Sequence, residues 1–314
     1  MGTAGDTVKL GVALPVAGAW STPENLTRVA QRAEALGYHS LWVFQRLLYP
    51  LVPKGDYPPA PGQPWPKALE RVLDPIVTLA YVAAATRCIR LGTSVLIMPY
   101  YAPIVLAKHL TTLDILSGGR LNVGLGIGWS EDEYDAVGVP FRQRGRRADE
   151  FLRCLRAIWT DDVVEFRGEF YKVPPAKVEP KPIQKPHPPI TLGGYGPVMI
   201  HRVVTLADGF SGGNVPLTEV TPLVMRVKTA AAAAGRDPAT LHIVCRGTLR
   251  LYDAPQGPDR RPLFGTLEEI REDICRYAAT GVTELFLEGN FDPIGATVDR
   301  FIDVMEVFAP SNGG

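Results

Sequence analysis

Short apolar runs with no internal alternation recur along this chain. Each is followed by a longer stretch in which apolar residues return every three or four positions. Residues 9–15 (KLGVALP) read as a buried strand and 22–37 as a helix, with Thr22 as N-cap, Pro23 in the first turn and Gly37 at the close. Residues 40–44 form a second strand, and Asp74 with Pro75 opens a helix to Thr86. Strand 89–96, helix 102–116 and strand 120–126 follow. The second half repeats the rhythm with helix 147–159, strand 189–192, helix 197–206, the short strand 209–211 and helix 217–235. It ends with strand 241–251, helix 266–281, strand 283–288 and helix 293–308.

Strands that are apolar on both faces, each feeding a helix, predict a parallel sheet covered by helices. Eight such units predict an α/β fold of the closed (β/α)8 type, a TIM-like barrel, rather than an open doubly wound sheet. The first turn, 15–21, also lacks the G-x-G-x-x-G of a dinucleotide fold. Two stretches break the rhythm. Residues 50–66 carry seven prolines with Tyr57 and Trp65, and they follow strand two on the face where barrel enzymes keep their chemistry. Residues 174–189 carry seven more, after a hairpin (163–173) turning at Arg167-Gly168. This insertion between helix four and strand five is read as structural or as an oligomer contact.

Composition removes several classes of function. The 33 Lys and Arg balance the 33 Asp and Glu, so the basic excess of a duplex-binding protein is missing. No apolar run approaches the roughly 20 residues that span a bilayer, and the first nine residues carry no signal-peptide pattern. Cys88, Cys154, Cys245 and Cys275 lie far apart, as buried thiols of a reducing compartment do, so a cytoplasmic protein is expected. The five histidines never fall at metal-ligand spacing, so no metal is expected.

Nucleophile-elbow, zinc-protease and P-loop motifs are all missing. The run Glu131-Asp132-Glu133 reads as a solvated acidic loop. Glycines are more informative. Gly124, Gly126 and Gly128 run off strand four, and Gly193-Gly194-Tyr195-Gly196-Pro197 leads from strand five straight into a helix. Glycine lets a ligand approach the backbone, and the free N–H groups of a helix start favour an anion such as phosphate. A tight turn without ligand is the alternative; the anion site is preferred here.

Taken together, these segments resemble the luciferase-like monooxygenase superfamily, in the branch that uses the 8-hydroxy-5-deazaflavin coenzyme F-420. The resemblance is carried by Leu91-Gly92-Thr93-Ser94-Val95-Leu96, by Ala107-Lys108 with Thr112-Leu113-Asp114, and by Ser117-Gly118-Gly119-Arg120. It continues through Gly124 to Trp129, Glu133-Tyr134, Gly138-Val139-Pro140-Phe141, Arg144 to Arg147, Gly168 to Tyr171, Gly193-Gly194 and Ala207-Asp208-Gly209. Residues 1–314 are accordingly expected to form one barrel domain. The resemblance implies a flavin-type ring at the C-terminal mouth and a non-proline cis bond at Ser94–Val95 behind it. Ile127 and Gly128 would line the ring and ribityl chain, with the phosphate at residues 193–197.

This chain departs from the family in two places. Relatives often end strand two with an acidic residue and a histidine, where this chain has Gln45-Arg46. The family's sugar-phosphate dehydrogenases carry Thr-Gly-Glu where this chain has Ile127-Gly128-Trp129, so that activity is set aside. Arg46 suits either the polarising of a carbonyl or binding of an anion, or else a salt bridge at the rim. Gln45, Arg46 and Trp129 are the candidate catalytic residues. Trp20 and Trp65, with Trp129, are candidates for an aromatic substrate wall, or for core packing. The expected activity is hydride transfer between coenzyme F-420 and a small organic substrate, reducing an activated double bond or imine. Two alternatives stand beside it: an FMN-dependent monooxygenase fed by a separate reductase, and a non-catalytic flavin-binding relative. A homodimer is expected from the resemblance.

Overall fold

The computed structural model describes residues 8–213, 215–292 and 297–310. Eight parallel strands close on themselves: β1 (Lys9–Ala13), β2 (Ser40–Val43), β3 (Arg90–Thr93, resumed as Leu96–Ile97), β4 (Leu121–Gly126), β5 (Ile190–Gly193), β6 (Gly209–Gly213), β7 (His242–Thr248) and β8 (Glu284–Glu288). Each pairs with its neighbour in the chain and β8 pairs back onto β1, so the barrel has no open edge. The helices are α1 (Pro23–Ala35), α2 (Pro75–Ala85), α3 (Pro103–Leu116), α4 (Glu131–Ala136), α5 (Arg144–Thr160), α6 (Pro197–Leu206), α7 (Leu217–Ala233), α8 (Leu267–Ala278) and α9 (Val298–Val307).

Helix starts follow the capping chemistry of the sequence. Thr22 and Asp74 accept from the N–H groups of Asn25 (3.2 Å) and Val77 (2.9 Å), each ahead of a first-turn proline, and Thr266 forms a capping box with Glu269. Four expectations need correction or restriction. Cys154 and Cys245 are buried thiols, but Cys88 and Cys275 are exposed. Strand three is not continuous over 89–96, because a cis Ser94–Val95 bond interrupts it before Leu96. Glu131-Asp132-Glu133 is not a solvated loop but the first turn of α4, capped by Ser130. The expected helix start at Pro293 lies in 293–296, outside the described residues; the helix is described from Val298.

Side chains fill the barrel interior below its mouth. Trp42 is fully buried and stacks on Phe286 at 4.9 Å, between Ala13 and Val244. Its indole N–H donates to Glu284 at 2.8 Å, satisfying a polar group inside the core. The plug fits because β3 offers a glycine: a Cβ on Gly92 would lie 2.5 Å from the Trp42 ring. Outside, the insertion after α5 forms an antiparallel hairpin, Val164–Arg167 with Lys172–Ala176. The chain then returns along α3, where Asp114 accepts from the N–H groups of Ile183 (2.8 Å) and Gln184 (3.1 Å). The structural reading of this segment therefore has direct support in the chain's own contacts.

Candidate active site

Glu133 organises the end of β2. Held inward by the first turn of α4, its fully buried carboxylate accepts from Arg46 Nη2 (2.7 Å), the Leu47 N–H (2.6 Å) and the Tyr100 hydroxyl (2.9 Å). Burial, then the adjacent carboxylate, pushes the Tyr100 phenol far up, so it stays a donor. Arg46 is itself buried. Its guanidinium lies over Trp129, 4.5 Å from the ring centroid, and 5.4 Å from that of Trp65. Trp65 and Trp129 meet edge-on at 4.8 Å, and Tyr57 packs on Trp129 at 5.8 Å. The rim salt bridge and the anion reading of Arg46 are thus compatible: Glu133 takes one edge, while the buried Nε and Nη1 groups have no acceptor among the described residues.

Gln45 has a different task. Its amide oxygen accepts from the Ile97 N–H at 2.8 Å and its nitrogen donates to the Tyr101 hydroxyl, so one end holds the resumed part of β3 and the other the turn that leads into α3. Trp20 does not join the aromatic wall through ring contact with Trp65 or Trp129. It packs edge-on against Phe301 of α9 at 5.5 Å and belongs to the core under that helix.

The cis bond expected at Ser94–Val95 is present. Val95 is seated on two glycines: a Cβ on Gly126 would lie 2.6 Å from one Val95 methyl, and one on Gly193 would lie 3.3 Å from the other. Ser94 Oγ faces Ser211 Oγ at 3.3 Å, and the Ile127 carbonyl accepts from the Tyr134 hydroxyl. Gly128 has φ +66°, a conformation that suits glycine. From β5 the chain turns through Gly194 (φ +137°) and Tyr195, whose hydroxyl accepts the Gly213 N–H at 3.0 Å. Gly196 is the N-cap of α6 and Pro197 its first residue; among the described residues no side chain caps this exposed end, and beyond its chain neighbours nothing lies within 4 Å of where a Gly196 Cβ would be. An uncapped, unobstructed helix start is the geometry an anion needs.

Matching the family's sequence profile over residues 8–256 settles the kinship. The chain belongs to the luciferase-like monooxygenase family. It is 34% identical over 278 residues to an uncharacterised protein of Mycobacterium tuberculosis, covering 78% of this chain and 93% of the relative. An F-420-dependent glucose-6-phosphate dehydrogenase of Amycolatopsis mediterranei is 32% identical over 219 residues, 68% of this chain and 60% of that one. An FMNH(2)-dependent dimethylsulfone monooxygenase of Pseudomonas putida is 33% identical over 163 residues, 51% of this chain and 45% of that one. Among solved structures, the monooxygenase RslO1 of Streptomyces bottropensis superposes with TM-score 0.77 at 23% identity, covering 96% of this chain and 98% of that one. The coenzyme F-420-dependent tetrahydromethanopterin reductase of Methanopyrus kandleri does so with TM-score 0.74 at 17% identity, covering 95% and 97%. Both share the fold. Among the described residues no helix is long and apolar enough to cross a membrane, and no group of His, Cys, Asp or Glu could hold a metal ion.

Within this luciferase-like barrel, a second polar group at the mouth was not singled out from the sequence. Glu288 ends β8 on the inward side, two residues beyond Phe286, and is Cα partner to Thr248 of β7. It accepts from the N–H and side-chain amide of Asn290 (2.8 and 2.6 Å), and burial pushes its carboxyl up towards the neutral form, with Arg246 opposing. The strand parity of Glu284, Phe286 and Glu288 is the signal that could have found it. A cavity of about 1040 Å³ is lined by Tyr57 with its prolines and by the outer end of β7.

Proposed function

We propose that the chain is an oxidoreductase that transfers a hydride between coenzyme F-420 and a small organic substrate, reducing an activated double bond or imine. The observation that supports this best is the pairing of the glycine-seated Val95 bulge with the uncapped start of α6. Together they provide a floor for a planar ring and an anion site where its phosphate belongs. Ser94, Val95, Ile127 and Gly128 would line the ring and ribityl chain, and Gly193, Gly194, Tyr195, Gly196 and Pro197 would hold the phosphate. When bound, the deazaflavin supplies the hydride chemistry.

The chain's own residues orient and exclude. Gln45 fixes the resumed part of β3 behind the ring site. Arg46, stacked on Trp129 and anchored by Glu133, turns its free N–H groups to a carbonyl or anionic oxygen. Trp65 and Trp129 cover the buried arginine, and a lower local dielectric strengthens its field. Two copies of the chain pair through α2 and α3 in this reading.

A second reading is an FMN-dependent monooxygenase fed by a separate reductase, favoured by the identity to the FMNH(2)-dependent monooxygenase. Parallel fluorescence titrations with coenzyme F-420 and FMN separate the two. The deazaflavin is expected to bind at least tenfold tighter, about 1.4 kcal/mol. A preference for FMN of that size replaces the first reading with the second, and binding of neither leaves both without support.

A further inference from the structure

The cavity at the mouth has two unlike walls. One is apolar, made by Tyr57, Pro58, Pro59 and Phe291. The other is β7 and its extension, where Arg246, Thr248 and Arg250 follow at two-residue spacing and therefore fall on one side of the strand.

Among the described residues, none of the acidic side chains lining the same cavity forms an ion pair with these arginines. Asp273 is engaged by Arg260 and by the Leu263 N–H at 2.7 Å. Glu269 is engaged by Arg260 and by the N–H groups of Thr266 and Gln256, both at 2.9 Å. Asp259 and Glu272 are exposed at the rim. Glu288 stands near Arg246; burial raises its carboxyl pKa, while Arg246 and the Asn290 hydrogen bonds oppose that rise. Arg250 packs over Phe264 at 5.2 Å, with its Nε–H buried and without an acceptor among the described residues. The Tyr57 hydroxyl lies within the fields of both Arg246 and Arg46, with burial holding it protonated, so the apolar wall also offers a donor. A cavity lined by Arg246 and Arg250 together with an aromatic and proline face matches an amphipathic anion.

We propose that this cavity takes an organic anion as substrate, its oxyanion on Arg246 and Arg250 and its apolar body against Tyr57 and Phe291. The word substrate rests on the oxidoreductase reading above; the binding preference does not. Carboxylate and phosphate share this chemistry, and the test separates them.

Calorimetric titration of the cofactor-free protein with phenylpropanoate, phenyl phosphate and the neutral phenylpropanamide tests the proposal. One of the two anions is expected to bind at least tenfold tighter than the amide, and whichever does identifies the headgroup. Arg246→Gln should erase that preference and Arg246→Lys should keep part of it, which separates lost charge from lost fold. Added salt should weaken the anion and spare the amide. Equal binding of amide and anions, no binding of any probe, or an unchanged preference in Arg246→Gln overturns the proposal. So does an Arg246→Gln protein that loses deazaflavin affinity but keeps the anion preference, since the arginine then serves the coenzyme. Protein that binds deazaflavin without preferring anions sinks this inference alone. Protein that prefers anions and binds neither coenzyme sinks the oxidoreductase reading alone.

Discussion

Glu34, in the last turn of α1, receives the N–H groups of Arg87, Cys88 and Ile89 at 2.8, 2.7 and 3.0 Å and so pins the segment that enters β3. Desolvation raises its pKa, but the three backbone donors and the Cys88 thiol outweigh it and bring the carboxyl down from 4.5 to about 2. A carboxyl depressed in the folded state stabilises the fold above its unfolded pKa, and that stabilisation drains away as pH falls towards the folded value. Glu34→Gln is therefore expected to lower the melting temperature by a few degrees at pH 7, with the gap closing between pH 4.5 and about 2. A melting difference that stays constant across that window contradicts the pinning role. Nothing in the sequence marks Glu34, because its partners are backbone groups from another element. Arg46 was visible as a departure from the family pattern, whereas its partner was not: in Glu131-Asp132-Glu133 only the fold decides which carboxylate turns inward.

At the scale of elements, α4 shows what six residues can do when one of them is anchored. It is too short to show a helical period, which is why the sequence reads it as loop. What holds it is the Ser130 cap together with Glu133, whose carboxylate ties α4 to the end of β2 and to Tyr100. Glu133→Ala leaves the Arg46 charge buried without a carboxylate, a change that typically costs about 3–5 kcal/mol. Asp132→Ala removes only an exposed contact to the Lys54 N–H, and surface changes of that kind stay within about 0.5 kcal/mol. Urea unfolding of the two variants should show this contrast; equal midpoints would mean that Glu133 is not an anchor. The capped helices α1, α2 and α8 were legible because Thr22, Asp74 and Thr266 act within their own turns. The break in β3 was hidden in the chain's periodicity, since an apolar run through Val95 reads equally as one strand; the family resemblance alone pointed to it.

For the molecule as a whole, the barrel was legible because one unit repeats eight times, and repetition survives errors at individual boundaries. The cavity was not, because it joins Tyr57 from the loop after β2 to Arg246 on β7, a meeting that only barrel closure brings about. The outer surface carries one more consequence of closure. A helix of a barrel needs only its inner face to be apolar, yet α2 (PIVTLAYVAAA) has no charged residue anywhere. Val77 and Tyr81 on α2 are 69% and 47% exposed, and Val105 on the adjacent α3 is 46% exposed. Single exposed apolar residues are ordinary, but a charge-free helix beside a second exposed valine is a surface that a second copy would cover. Light scattering on the purified chain should therefore report two copies per particle. Val77→Glu combined with Val105→Glu should shift it to one copy while leaving deazaflavin affinity unchanged, because neither side chain lines the cavity or lies against the mouth's glycines. If the unaltered chain remains a single copy at micromolar concentration, the face between α2 and α3 is not the contact.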